Sequence, residues 1–211
     1  MTENDLAYMR RLVTSGVLKD PVLELGAGYG GMTCRELVCG TGLRYHTVDL
    51  QAGTGVDFVA DMECEANLHV FDQAKPFGSI LILNVLEHTF EPLAVLDNCL
   101  SLLAPGGNLV VLTPCVWPLH FYPHDTLRLN PDFYVEYARR RQLEVAPEHF
   151  QFVGYGPVQD FHDAAGGRYP PPTMSRGGRI WSKIIHELAH TCGRKQHFPN
   201  RLAVAAVLTK K

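Results

Sequence analysis

Residues 22–31 read Val22-Leu23-Glu24-Leu25-Gly26-Ala27-Gly28-Tyr29-Gly30-Gly31. The first four form a short apolar run closed by glycine, the signature of a buried strand. The glycines then open a helix. At a strand-to-helix turn they let the backbone approach a ligand closely, and the helix N-terminus favours an anionic group. A second apolar run, Tyr45-His46-Thr47-Val48-Asp49, ends in an acid 21 residues beyond Gly28. In an α/β sheet that carboxylate stands beside the glycine loop, outside the carboxyl ends of the strands. A carboxylate only accepts hydrogen bonds, so it suits the two hydroxyls of a ribose. Strand, loop, helix and distal acid in this order point to a cofactor that contains a nucleoside. The spacing Gly26, Gly28, Gly31 also satisfies G-x-G-x-x-G, which by itself is a weak signal. The bland alternative is a tight turn with an unrelated acid.

Around this centre lies an ordinary globular chain of 211 residues, 46% hydrophobic and 19% charged, with a formal net charge of −3. It is too apolar to be disordered, and it has no basic excess for phosphate contacts with nucleic acid. No apolar run approaches the ~20 residues of a membrane span. The N-terminus has acids early and no apolar stretch, so it is expected to be a short amphipathic helix and not a secretory signal. Its face would carry Leu6, Met9, Leu12 and Val13, and Pro21 would end it. Six scattered cysteines without a C-x-x-C pair are expected to be reduced and mostly buried.

Helix and strand patterns alternate along the chain. A helix is expected over residues 32–38, and a short third strand over 56–59. Between strands two and three, residues 51–55 are too brief and glycine-rich for a helix. The most apolar strand covers residues 79–83. Pro92 can open the next helix, and Ala104-Pro105-Gly106-Gly107 stops it before a strand at 109–112. Pro131 opens another helix, residues 143–153 hold a sixth strand, residues 181–192 are helical, and residues 202–208 form a last strand. Strands apolar on both faces and separated by helices imply a parallel sheet covered on both sides.

Val22 to Gly31, then T-V-D-L, V-A-D-M, L-N-V-L-E-H and L-L-A-P-G-G-N-L-V-V-L-T-P together resemble the class I S-adenosylmethionine-dependent methyltransferases. The resemblance covers roughly residues 20–150. It implies a single-domain Rossmann-like α/β fold over 1–211, with a seven-stranded, mostly parallel sheet, an antiparallel last strand and helices on both faces. It also implies roles. Gly26, Ala27 and Gly28 would pass under the methionine part of S-adenosylmethionine, and Glu24 would sit near its ammonium. Asp49 would hold the ribose hydroxyls, with Leu50 against the adenine. Asp61 would accept from the adenine amine and Met62 would pack on or beside the ring. Asn84 would offer its backbone carbonyl to the ammonium. Two departures stand out: the second crossover helix is missing, and Gly78 occupies a position where the family often has an acid.

On the acceptor side, His88 follows the fourth strand and suits a general base. The segment W-P-L-H-F-Y-P-H-D-T-L-R places Trp117, His120, Tyr122, His124, Asp125 and Arg128 on a loop at the same sheet edge. His124 or His120, with Asp125, would serve the chemistry; the bland reading is a loop anchored by an Asp125–Arg128 pair. His186-Glu187-Leu188-Ala189-His190 spells H-E-x-x-H, a zinc pattern. The residues around it are better read as a helix with Ile184, Ile185, Leu188 and Ala189 packed on the sheet, so no metal is expected. Residues 154–180, rich in glycine, proline and arginine, are a candidate substrate lid.

The expectation is a cytoplasmic enzyme. It would move a methyl group from S-adenosylmethionine to an oxygen or nitrogen of a small molecule by in-line displacement, releasing S-adenosylhomocysteine. No nucleic-acid or membrane partner is expected, and monomer and homodimer remain open. The alternatives are a nucleotide-dependent oxidoreductase and a non-catalytic subunit with the same fold.

Overall fold

The structure, a computed structural model, describes residues 2–28, 33–117, 119–120, 124–154 and 202–211, and residues 177, 180, 181, 184, 187, 188 and 191. The chain opens with α1 (Glu3–Thr14), whose N-terminus is closed by a reciprocal box: the Thr2 hydroxyl accepts from Asp5 N, and the Asp5 carboxylate accepts from Thr2 N. The helix buries Asp5, Tyr8, Met9 and Leu12. It stops at Thr14, well before Pro21, because Ser15 N bonds back to Arg11 O and Gly16 takes φ +70°.

Five parallel strands follow: β1 (Val22–Leu25), β2 (Tyr45–Asp49), β3 (Phe58–Val59), β4 (Phe77–Leu83) and β5 (Leu103–Val116). The last strand, β8 (Leu202–Thr209), is antiparallel to β5. With a short strand β6 (Glu144–Val145) at the far edge, the sheet order is β3-β2-β1-β4-β5-β8-β6. The expected sixth strand is split into β6 (Glu144–Val145) and β7 (Gln151–Gly154), which pair with β8 at different heights around a turn at Pro147–His149. The sheet therefore has seven strand positions and eight pieces.

Alternation along each strand divides the core. Ile80, Ile82, Leu109, Val111, Val204 and Ala206 face one layer, with α3 (Pro92–Leu102) and α4 (Pro131–Arg141). Leu81, Leu83, Val110, Leu112, Ala205 and Val207 face the other, with α1 and α2 (Arg35–Cys39). Both faces are covered, as a parallel sheet requires. That coverage bears on the helical residues near the C-terminus. Ile184 and Leu188 do not pack on the sheet but stand exposed beside Ile180 and Trp181. Glu187 is exposed too, while His186, Ile185, Ala189 and His190 lie outside the described residues. Residues 155–176 of the candidate lid are also outside them.

The missing crossover helix has a physical substitute. Between β2 and β3 the Asp57 carboxylate accepts from Thr47 N, Thr47 Oγ1 and Arg35, so side-chain bonds hold β3 in register. A 3-10 helix not foreseen in the sequence, Glu65–Phe71, links β3 to β4. Its Phe71 packs on Phe58 and Phe77, with ring centroids 4.9 and 6.0 Å away. Cys34 and Cys99 are buried, but Cys39 and Cys64 lie exposed, which corrects the expectation of mostly buried cysteines.

Candidate active site

The carboxyl ends of β1, β2, β4 and β5 meet at one edge and enclose a cavity of about 560 Å³. The turn after β1 forms its floor. Gly26 has φ +76°, its N–H bonds to Val48 O, and a Cβ there would lie 2.7 Å from Val85 Cγ2. Only glycine satisfies both the dihedral and the space. The Gly28 N–H donates to Asp49 Oδ2 at 2.8 Å, so the acid ending β2 is locked beside the loop as the spacing predicted. Gly26, Asp49, Leu50, Asp61 and Met62 line one end of the cavity. Ala27 is buried and Gly28 exposed, and neither is part of the lining; residues 29–32 are outside the described residues.

Glu24 also lines the cavity, but its carboxylate is already engaged. Oε2 accepts from Cys34 N at 2.9 Å and from the Tyr45 hydroxyl at 2.6 Å. Burial raises its pKa despite these bonds. Glu24 therefore braces the start of α2 from below. Tyr45→Phe removes one of two partners from a buried carboxyl group and is expected to cost about 1.5–3 kcal/mol of unfolding free energy, measurable by urea denaturation.

Asn84, directly after β4, lies in the left-handed region, φ 55°, and its side chain donates to Asp5 Oδ2 at 3.1 Å. Thr2 and Asp5 thereby become part of the wall. They were not foreseen as site residues. Their one signal is the T-x-x-D box at the helix start, which marks a cap and says nothing of a cavity.

The other end is built by the segments after β4 and β5, which are stitched together. Thr126 N and Oγ1 donate to the Glu87 carbonyl, and the His88 Nδ1 contacts the His124 carbonyl. Since a carbonyl only accepts, Nδ1 carries the proton and Nε2 holds the lone pair. Burial lowers the His88 pKa, which keeps the ring neutral at pH 7. His88, Glu87, Trp117 and His120 line this end. The His124 side chain is exposed and outside the lining; only its carbonyl serves the site. Asp125 is outside the lining as well. It forms a two-pronged ion pair with Arg128, accepts from His120 N at 2.9 Å and lies 3.1 Å from His120 Nδ1. The Arg128 guanidinium holds its carboxyl far below the usual carboxylate range, so Asp125 is a fixed anion that positions His120.

Six acidic side chains line the cavity (Asp5, Glu24, Asp49, Asp61, Glu63, Glu87), and no lysine or arginine does among the described residues; burial pushes Glu24 up and Glu87 up to about 8, toward their neutral forms. A sheet in this order, with a glycine turn and an acid at the first two strand ends, defines a Rossmann-like nucleoside-binding fold of the methyltransferase type. The sequence profile of the methyltransferase domain matches residues 6–155, and the chain belongs to that family, the class I S-adenosylmethionine-dependent methyltransferases. Among curated relatives, a ubiquinone biosynthesis O-methyltransferase of Xylella fastidiosa (strain M23) is 30% identical over 103 residues, 39% of this chain and 42% of the relative. That of Parvibaculum lavamentivorans is 28% identical over 109 residues, 52% of this chain and 40% of the relative. The matches thus span less than half the length of these relatives. Among solved structures, a SAM-dependent methyltransferase from Archaeoglobus fulgidus has a TM-score of 0.55 at 16% identity, covering 99% of this chain and 95% of the other. The 1,6-didemethyltoxoflavin-N1-methyltransferase of Burkholderia thailandensis, with S-adenosylhomocysteine bound, reaches 0.60 at 15% identity, covering 99% and 79%. These show the fold.

Proposed function

We propose that this protein is a cytoplasmic enzyme that transfers the methyl group of S-adenosylmethionine to an oxygen or nitrogen of a small-molecule acceptor. The observation that carries this reading is the charge of the cavity. S-adenosylmethionine bears a sulfonium, an ammonium and one carboxylate, a net positive charge. A nicotinamide dinucleotide brings a diphosphate. Among the described residues the lining has no lysine or arginine, and even with Glu24 and Glu87 pushed toward their neutral forms by burial, the remaining acids Asp5, Asp49, Asp61 and Glu63 favour the first and repel the second, which argues against the oxidoreductase alternative.

The cofactor's parts fit the residues present. Asp49 keeps acceptor capacity for the ribose beside Gly28, the Gly26 turn leaves room where a Cβ would clash, and Met62 and Leu50 offer apolar surface at the adenine end. When bound, the cofactor supplies an activated methyl that leaves a neutral thioether behind. The protein's own task is alignment and exclusion of water, and positioning of this kind is worth ~7–11 kcal/mol of a barrier. The acceptor would occupy the end lined by Trp117, His88, Glu87 and His120, where these polar groups handle the proton that a hydroxyl or amine must lose.

Calorimetry with S-adenosylhomocysteine and with NAD, followed by transfer of labelled methyl to a panel of phenols, catechols and amines, tests the reading. Binding of the first, none of the second, and turnover with at least one acceptor class are expected. Binding of NAD alone would overturn it, and cofactor binding without turnover on any acceptor would favour a non-catalytic subunit. His88→Ala should leave S-adenosylhomocysteine affinity unchanged and lower kcat roughly 100-fold or more, as loss of a proton-handling group does.

A further inference from the structure

The Glu87 side chain is fully buried, and neither of its carboxylate oxygens has a hydrogen-bond partner among the described residues. A buried carboxyl group in that condition costs free energy unless something joins it. The Arg128 guanidinium and the Asp125 and Asp5 carboxylates act on it electrostatically, and two imidazoles stand beside it. His88 Nε2 lies 3.7 Å from Glu87 Oε1, and the rings of His88 and His120 meet edge to face with centroids 4.9 Å apart. One donor atom from each of Glu87, His88 and His120 lies within 4.8 Å of the others.

We propose that Glu87, His88 and His120 form a binding site for a divalent transition-metal cation, of the zinc, manganese or iron(II) class, at the acceptor end of the cavity. Two imidazole nitrogens and one carboxylate oxygen are the donor set such ions take while keeping positions open for a substrate. A tetrahedral ion with bonds of about 2.0–2.2 Å needs its donors roughly 3.4 Å apart, so side-chain rotations of about 1 Å complete the set. The supporting bonds are those that orient ligating histidines. A backbone carbonyl fixes His88 through Nδ1 and leaves Nε2 to the ion; His120 is held through its backbone N–H, which donates to the Asp125 carboxylate at 2.9 Å, while its buried Nδ1 lies 3.1 Å from that carboxylate with no hydrogen-bond partner among the described residues. Asp125 is held in turn by Arg128. The ion also gives the Glu87 carboxylate the partner it lacks. This site departs from the expectation of no metal and is separate from the H-E-x-x-H pattern.

The inference rests on the methyltransferase reading for its role. The ion would hold an acceptor hydroxyl and favour its ionised form. With its Nε2 on the ion, His88 would act by holding the ion and not by taking the proton itself: the O–H proton leaves to water, the oxygen pair forms the new O–CH3 bond, and the S–CH3 pair returns to sulfur.

The test is a zinc titration of the chelator-treated full chain by calorimetry, repeated with cobalt(II) to read ligand-field absorption. Glu87→Gln, His120→Ala and the double variant His186→Ala/His190→Ala are compared, with S-adenosylhomocysteine binding measured on every sample. One equivalent of zinc is expected, weakened at least about 100-fold in Glu87→Gln and His120→Ala and unchanged in the double variant. Glu87→Gln keeps the shape and removes only the charge, so it guards against loss of fold. Zinc binding absent from a protein that still takes S-adenosylhomocysteine, or equal in all variants, overturns the site. Zinc bound as expected without any S-adenosylhomocysteine binding supports the site and counts against the methyltransferase reading.

Discussion

Asp49→Ala is expected to weaken S-adenosylhomocysteine binding about 100-fold or more while leaving the fold intact. The acid does two things at once. Its Oδ2 takes the Gly28 N–H at 2.8 Å, and its Oδ1 accepts from Gln51 N at 3.3 Å, which pins the carboxylate at the mouth of the turn. Its free acceptor capacity then faces the ligand. Hydrogen bonds to a charged acceptor are worth about 1.5–3 kcal/mol each, and two ribose hydroxyls share this one. Losing both, together with the anchor that holds the Gly28 turn, gives the predicted factor. The side chain is only half-buried, so alanine leaves no cavity in the core. Calorimetry measures the affinity, and far-ultraviolet circular dichroism checks the fold. An affinity within threefold of the parent protein would remove Asp49 from the binding site and, with it, the assignment of the β1–β2 edge.

The largest expected loss of stability lies elsewhere, at Gly78. A Cβ built there stands 2.5 Å from Asp20 O and 2.7 Å from both the carbonyl carbon and oxygen of Lys19. These are backbone atoms and cannot rotate aside. Gly78 N–H is also bonded to Pro21 O at 2.8 Å, and Lys19 N is bonded to Ser79 Oγ at 2.7 Å, so the two segments are held in contact. Overpacking of this kind costs about 1–3 kcal/mol and sometimes more. Gly78→Ala is expected at the upper end, about 3 kcal/mol, which for a chain of this size lowers Tm by roughly 6–12 °C. Gly42→Ala is the control. Gly42 has φ +84° with nothing within 4 Å of a Cβ, so only the dihedral is penalised, by ~1–2 kcal/mol. A Gly78 variant as stable as the Gly42 variant would show that the α1–β1 connection yields easily. The clash also accounts for the absence of an acid at this position: the chain entering β1 leaves no space for any side chain.

Much of the cofactor end was legible without coordinates because its logic is local. A glycine turn, an acid ending the next strand and the alternation of apolar residues each follow from a few consecutive positions and from the two-residue period of a strand. The acceptor end was not. His88, His120 and His124 sit on two segments whose separation in the chain says nothing of which imidazole turns inward. The Asp125–Arg128 pair decides that by holding His120 at the cavity and leaving His124 outside. The apolar stripe of Ile184 and Leu188 misled for a related reason. Helical periodicity names the apolar face but not the surface it meets, and both faces of the sheet already carried helices.

The sequence by itself determined the layered α/β sheet, the strand-to-helix turn at Gly26 and the place of Asp49, since short-range sterics and hydrophobic period dictate them. Only the tertiary structure decided that Glu87 is sealed from solvent between two imidazoles, that Glu24 is consumed by Tyr45 and Cys34, and that among the described residues the cavity lining carries acids and no lysine or arginine. Burial and charge balance are sums over segments far apart in the chain, and they acquire values only when those segments are brought to one place.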